Sequence, residues 1–338
     1  MKILVTGGLG YIGSHVVVEL INEGFEVVIV DNLSNSSENV LDGIEAITNV
    51  RPVFEKLDLR EKKTVNTFFK NHEDVSGIIH FAASKAVGES VEKPLLYYEN
   101  NINTLVYLLQ QLKEKSNAQF IFSSSCTVYG QADKLPITEA APIKQAESPY
   151  GNTKQIGEEI IKDTCKVFPN VSAIALRYFN PIGAHKSAKI GELPLGVPQN
   201  LVPFITQTAI GLRDQLSVFG NDYPTKDGTC IRDYIHVVDL AKAHVAALQR
   251  LIEKNNKNNF EVFNIGTGTG SSVLEVIQAF EKVSKQKLNY KITGRREGDV
   301  IAAYADTTKA NEVLGWKSMY TLEDALLSAW KWEQEIRK

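Results

Sequence analysis

A chain of 338 residues has room for one large α/β domain or two unequal ones. Its 43% hydrophobic and 23% charged residues are ordinary for a water-soluble globular protein, and a net charge of −3 offers no basic surface for nucleic acid or an anionic membrane. Three widely spaced cysteines (Cys126, Cys165, Cys230) argue against a disulfide framework or a zinc cluster, and six scattered histidines lack metal-ligand spacing, so no metal is expected.

The N-terminus, MKILVTGG, enters a strand directly and does not read as a signal peptide. No apolar run approaches the ~20 residues of a spanning helix, so the expected setting is a reducing cytoplasm with no membrane partner. KILVT (2–6) is the first strand. TGGLGYIG (6–13) follows, with Gly7, Gly10 and Gly13, and a helix runs from about Ile12 to Asn22. The start of that helix offers unpaired N–H groups and a positive dipole end to a pyrophosphate, and the glycines permit a tight turn close to it. Such a loop also fits an ordinary βα turn, so its position carries the argument: strand before, helix after, then a second strand, EVVIV (26–30), ending at Asp31. A carboxylate there accepts hydrogen bonds from adenosine ribose hydroxyls and repels a 2′-phosphate. The next residues, NLSNSS (32–37), hold no cation to offset that repulsion, so NAD is expected over NADP.

Further strands are predicted at 52–57, 77–81, 119–124 and 172–178, with helices at 95–115 and 150–168. Strands alternating with helices imply a doubly wound parallel sheet of the Rossmann type. After Asn180 the pattern changes. The Gly- and Pro-rich 183–200 reads as loop, helices follow near 201–212, 237–254, 272–284 and 321–337, and short strands fall at 261–265 and 288–292. We therefore expect an NAD-binding domain over 1–180, joined by a returning segment near 235–265, and a smaller mixed α/β substrate domain over 181–338.

SSSCTVYG (123–130) raises the question of chemistry, because three hydroxyls end one strand. Ser123 and Ser124 are expected to finish the strand and satisfy backbone groups. SPYGNTK (148–154) places Tyr150 and Lys154 four residues apart at a helix start, on one face, with Pro149 suited to an early helical position. An ammonium beside a phenol, together with an oxidised nicotinamide, can pull a tyrosine from its usual value of about 10 toward neutrality, and such a tyrosine can take a proton from an alcohol. Y-x-x-x-K alone is common on exposed helices. Here it shares a chain with the glycine loop and the serine cluster.

In order and spacing these motifs, with HFAASKAVGES (80–90), LRYFNPIGAH (176–185), FGNDYPTKDGTCIRDYIHVVDLA (219–241) and RREGD (295–299), resemble the UDP-sugar 4-epimerase branch of the extended short-chain dehydrogenase/reductase family, over nearly the whole chain. The resemblance implies reversible inversion at C4 of UDP-glucose and UDP-galactose through a transient 4-keto sugar, with NAD retained and a homodimer formed through the helices at 95–115 and 150–168. It implies Ser125 as the hydroxyl that meets the sugar O4, Tyr150 as acid and base, and Lys154 as the partner of both the nicotinamide ribose and Tyr150. Its cofactor contacts fall on Gly7, Gly10, Tyr11, Ile12, Gly13, Asp31, Asn32, Leu33, Ser34, Asn35, Ser36, Asp58, Leu59, Phe81, Ala82, Ala83, Ser84, Lys85, Asn100 and Phe179, besides the catalytic three. Its substrate contacts fall on Lys85, Ser125, Tyr150, Asn180, Asn200, Leu201, Phe219, Arg232, Arg296 and Asp299. Asp58 fits an adenine contact or, in LDLRE, a helix N-cap. Guanidinium forks such as Arg232 and Arg296 match diphosphate oxygens bidentately.

One position departs from the branch. Enzymes restricted to unacetylated sugars typically carry Tyr four residues after the RREGD aspartate, whereas this chain has Ala303 there and an aromatic, Tyr304, one step later. A small side chain opens space beside the sugar C2, so UDP-N-acetylglucosamine and UDP-N-acetylgalactosamine are further expected substrates. A 4,6-dehydratase shares the loop and the Tyr–Lys pair but needs an acid and a base where this chain has Cys126 and Thr127. A catalytically silent NAD-binding regulator usually comes with a damaged triad, and Ser125, Tyr150 and Lys154 are all present.

Overall fold

The computed structural model describes every residue except Glu297 and Gly298, so these two members of the RREGD motif lie outside the described residues. In chain order the first half contains β1 (Lys2–Thr6), α1 (Tyr11–Asn22), β2 (Glu26–Asp31), α2 (Val40–Thr48), β3 (Val53–Lys56), α3 (Lys62–Asn71), β4 (Val75–His80), α4 (Val87–Glu92), α5 (Pro94–Leu112), β5 (Ala118–Ser125), α6 (Pro149–Val167) and β6 (Val171–Tyr178). The second half contains β7 (Asn180–Ile182), α7 (Leu201–Ala209), β8 (Leu216–Phe219), β9 (Ile231–His236), α8 (Val237–Ile252), β10 (Phe260–Ile265), β11 (Gly270–Ser272), α9 (Val273–Ser284), β12 (Tyr290–Thr293), β13 (Ala302–Ala303) and α10 (Leu322–Glu335).

Seven strands form one parallel sheet in the order β10-β6-β5-β4-β1-β2-β3. The inner strands are continuous Val, Ile, Leu and Phe runs because helices cover both faces. One face packs Val16, Val17 and Leu20 of α1 and Leu240, Ala243, Ala247 and Leu248 of α8. The other packs Val65 and Phe68 of α3, Leu105 and Leu108 of α5 and Ile161 of α6. The strand order reverses between β1 and β4, and in open α/β sheets ligands bind in the crevice outside that switch point.

A second apolar cluster joins α7, α9 and α10 around Ile205, Phe280, Leu326 and Trp330. Its scaffold is β9, which pairs with three short strands: Ile231 and Arg232 with β13, Ile231 to Asp233 with β11, and Tyr234 to His236 with β7. β8 and β12 form a separate parallel pair. The expected loop at 183–200 holds neither helix nor named strand, only a bridge between Ala184 and Gly191. The helix expected to reach residue 212 stops at Ala209, where the chain turns through Gly211 at φ +85°. Elements the sequence did not signal, such as α2, α3, β7, β11 and β13, are short or lie where polar residues mask the period.

Candidate active site

The glycine loop lies at the switch point. Gly7 adopts φ +67°, and a Cβ there would come within 2.9 Å of the Ala82 amide nitrogen, so the loop after β1 touches the loop after β4. A Cβ on Gly13 would strike the Gly7 carbonyl. No side chain caps α1 at Gly10, which leaves its first-turn N–H groups for an anion. The Tyr11 phenol is committed elsewhere, donating to the Gly183 carbonyl at 2.6 Å and tying this loop to the second half of the chain.

Asp31 closes β2. Its carboxylate accepts from the amides of Leu9 (3.2 Å) and Leu33 (2.9 Å) and from the Ser36 hydroxyl (2.8 Å), so it holds the glycine loop and the 31–36 turn in one arrangement. It does not cap α2, whose N-cap is Asn39. Asn32 folds over the Ser34 amide (3.0 Å), and Ser34 and Asn35 are exposed at this rim. Of the two readings of Asp58, the N-cap is overturned: α3 is capped at Glu61, and Asp58 instead pairs with Arg60 at 2.6 Å, which holds its carboxyl below the usual range. Leu59 turns into the core below β3 and β4. Beyond β4, Thr6 anchors the amides of Phe81 and Ala82 at 3.2 Å each, and Asn100 and Asn101 hold Ser84 through its hydroxyl and amide (both 2.8 Å). Phe81 packs on His244, while Ala83 and Lys85 continue the same loop.

Ser125 ends β5, the last of eight consecutive buried residues. Its hydroxyl accepts the Thr127 amide at 3.2 Å and so caps the 3₁₀ turn Cys126–Tyr129. Helix α6 starts at Pro149, with Ser148 accepting the Gly151 amide, and this fixes Tyr150 in the first turn and Lys154 one turn on. Lys154 is buried. Its ammonium donates to the Ser123 carbonyl at 2.6 Å and lies 5.7 Å from the centre of the Tyr150 ring. Burial pushes Lys154 down to about 8, against the opposing charge of Glu158. Tyr150 is pushed well above its ordinary value by burial, while the Ser125 hydroxyl draws it the other way. In the protein alone, then, burial outweighs any pull from Lys154. The expectation of a lowered phenol already joined the lysine to the cationic ring of the cofactor, and the protein alone supplies only the first of these.

The other two serines finish β5, as expected. Their hydroxyls do not serve the backbone. Ser123 bonds the Tyr178 phenol, and Ser124 donates to Glu158 at 2.5 Å. Glu158 in turn takes Arg177 through both oxygens (2.9 and 2.5 Å), Arg177 donates to the Tyr129 phenol (3.0 Å), and Tyr129 donates to Asn264 (2.6 Å). Sequence reasoning missed this buried network. Its one available signal was spacing, since Glu158 stands on the face shared by Tyr150 and Lys154.

Several of the residues expected to hold the substrate lie beside β9. Arg232 reaches Asp299 at 3.4 Å, Arg296 reaches the same carboxylate oxygen at 3.0 Å, and the Arg296 guanidinium lies 5.9 Å from the exposed Phe219 ring. Ala303 pairs with Arg232 across β13 and β9 and packs with Val128, Tyr129 and Phe179 under the 3₁₀ turn, so the nucleotide side meets the catalytic side there. Tyr304 turns away: its ring lies 3.0 Å from where a Cβ on Gly270 would be. Asn180 sits opposite Tyr234 in β7 and β9. Asn200 and Leu201 open α7 at a distance from this cluster in sequence, with Asn200 donating to Glu192 at 2.7 Å.

Comparison with known proteins decides the family. A family model described as GDP-mannose 4,6 dehydratase matches residues 4–328. The UDP-glucose 4-epimerase of Bacillus subtilis (strain 168) is 48% identical over 333 residues, covering 98% of this chain and 97% of that protein. The chain belongs to the UDP-glucose 4-epimerase family. Solved epimerase structures share its fold: one from Stenotrophomonas maltophila, with bound NAD and formylated UDP-arabinopyranose, superposes with a TM-score of 0.95 at 45% identity, covering 100% of this chain and 99% of that one. Another from Bifidobacterium longum, in complex with NAD+ and UDP, gives 0.94 at 44% identity, covering 99% and 98%. The epimerase family lies within the extended short-chain dehydrogenase/reductases, whose Rossmann-type sheet is the seven-stranded one described above. The dehydratase description is the broader one, since the full-length relatives are epimerases.

Proposed function

We propose that this chain is an NAD-dependent UDP-glucose 4-epimerase that interconverts UDP-glucose and UDP-galactose. The carrying observation is the convergence of Ser125, Tyr150 and Lys154 at the end of β5 and the start of α6, in a chain 48% identical to a full-length epimerase. The glycine cradle, the uncapped start of α1 and the Asp31 carboxylate fit a dinucleotide with a free ribose 2′-hydroxyl. Bound NAD supplies the acceptor, and then the donor, of the C4 hydride. Tyr150 takes the proton from the C4 hydroxyl and returns it to O4, Ser125 holds O4 by hydrogen bond, and Lys154 supplies positive charge beside the phenol. Arg232 and Arg296 hold the diphosphate end, releasing Asp299 in part, so the sugar can present either face while the nucleotide stays fixed. Exclusion of water from the buried corner preserves the keto sugar between the two half-reactions. An assay coupling UDP-galactose consumption to UDP-glucose formation tests the reading, and a folded, NAD-loaded protein with no turnover would sink it.

Ala303, on the same face as Arg232, leaves room at the sugar C2, and we extend the substrates to UDP-N-acetylglucosamine and UDP-N-acetylgalactosamine on that ground. We assign residues 1–180 with 235–265 to the NAD-binding unit and the rest of 181–338 to the UDP-sugar unit. We further read the protein as a cytoplasmic homodimer; among the described residues no helix is long and apolar enough to cross a membrane. Exposed Val91 of α4 and Leu95 of α5 supply apolar surface for a two-fold contact, and sedimentation at micromolar concentration tests it.

A further inference from the structure

Lys154 is a buried ammonium with a single protein acceptor among the described residues, the Ser123 carbonyl. Burying an ammonium favours its neutral form, and a neutral Lys154 would do nothing for the Tyr150 phenolate. Something must hold the charge. Glu158 is one helical turn further along α6, buried, and makes no direct ion pair with Lys154 among the described residues. Its carboxylate is fixed from two other elements: Arg177 of β6 grips both oxygens, and Ser124 of β5 donates to one. Ser124 is the residue between Ser123, whose carbonyl takes the Lys154 ammonium, and Ser125, whose hydroxyl faces Tyr150. One short stretch of β5 thus touches Tyr150, Lys154 and Glu158, the ionisable groups on this face of α6.

We propose that Glu158 is a positioning residue for the reaction: clamped by Arg177 and Ser124, it sets the charge and the aim of Lys154. A carboxylate at this depth acts on Lys154 through a poorly screened interior, which a surface carboxylate could not do. The clamp matters because a free Glu158 would swing toward Lys154, form a direct ion pair and draw the ammonium away from the cofactor side. Arg177 absorbs that tendency, and Tyr129 with Asn264 holds Arg177 in turn, anchoring the network to β10. The inference rests on the epimerase reading, because only proton transfer through Tyr150 gives Lys154 this task.

The test uses the full-length, NAD-loaded protein with UDP-galactose. Glu158→Gln removes the charge and keeps an acceptor for Ser124. Glu158→Gln with Arg177→Met also removes the guanidinium, which would otherwise be buried without a counter-charge and could unfold the single variant. Without the Glu158 charge Lys154 shifts toward its neutral form, and the charged fraction lost grows as pH rises past its titration. We expect Glu158→Gln to lose about twofold in kcat at pH 7, rising toward about tenfold at pH 9, with KM for UDP-galactose nearly unchanged. The double variant should regain thermal stability without regaining kcat. A purely structural role would move these together, so a double variant with wild-type stability and wild-type kcat overturns the proposal. So does a folded single variant whose loss lies in KM alone. If the wild type itself shows no turnover, it is the epimerase reading that falls, and the variant-to-wild-type ratio is then not the quantity at fault.

Discussion

Two corners of the molecule face one another across Ala303, and they are built on opposite plans. Around Ser125, Tyr150 and Lys154 the side chains are buried, and the charges of Lys154, Glu158 and Arg177 are held by fixed hydrogen bonds from the sheet and from α6. Around Arg232, Arg296 and Asp299 the charges are crowded, partly exposed and held mainly by one another. The contrast fits the two tasks proposed for these corners. Proton transfer needs groups held near their reacting atoms before the substrate arrives, which a dry, satisfied interior provides. Gripping a diphosphate needs guanidinium groups that can exchange one anion for another, and Asp299 keeps them aimed until then.

The comparison can be broken most sharply at Tyr150. Tyr150→Phe removes the proton carrier and little else, so kcat should fall by about 10²–10⁴ with KM and melting temperature nearly unchanged, measured by steady-state kinetics and calorimetry. Next in size, Arg232→Ala should act on the other corner, raising KM for UDP-galactose about thirtyfold, equivalent to about 2 kcal/mol, with a smaller change in kcat. If kcat falls instead and KM holds, the division of labour is wrong. Asp31→Asn should narrow the preference for NAD over NADP by about tenfold in a cofactor titration, because it removes the repulsion of a 2′-phosphate while leaving acceptors for Leu33 and Ser36. The smallest effect on the parent sugar belongs to Ala303→Tyr. UDP-galactose turnover should stay within about threefold while the acetylated pair is lost, and a wild type that ignores acetylated sugars would remove the role given to Ala303.

The two corners were also unequally legible in the sequence. The sheet follows from the alternation of apolar strands and amphipathic helices, and α6 was readable from Ser148 and Pro149 onward because capping chemistry is local. The glycine loop was readable for the same reason: its backbone demand is met only by glycine. Ser124 was misjudged because its partner, Glu158, is 34 positions away, and no local rule connects a strand-end hydroxyl to a carboxylate on the next helix. β9 was hidden for a different reason. Its three partner strands are two or three residues long, too short for a period to show, and they come from widely separated parts of the chain. The spacing of Tyr150 to Lys154 was readable because both stand on one helix face, whereas the depth to which the fold buries the phenol, which raises it in the protein alone, has no local signal.

The return of the chain to its first sheet has a temporal meaning. β10 pairs along its whole length with β6, from Phe260 opposite Ala173 to Ile265 opposite Tyr178, and α8 lies on α1. During synthesis, the helix and strands made first therefore keep one face bare until residue 265 has left the ribosome, by which time β7, β8 and β9 already hang from the growing chain. A nascent chain cut short before that point exposes Val16, Leu20 and Ile174 to solvent, the kind of surface that recruits chaperones. The first sheet is thus finished only after later elements of the chain have begun to form.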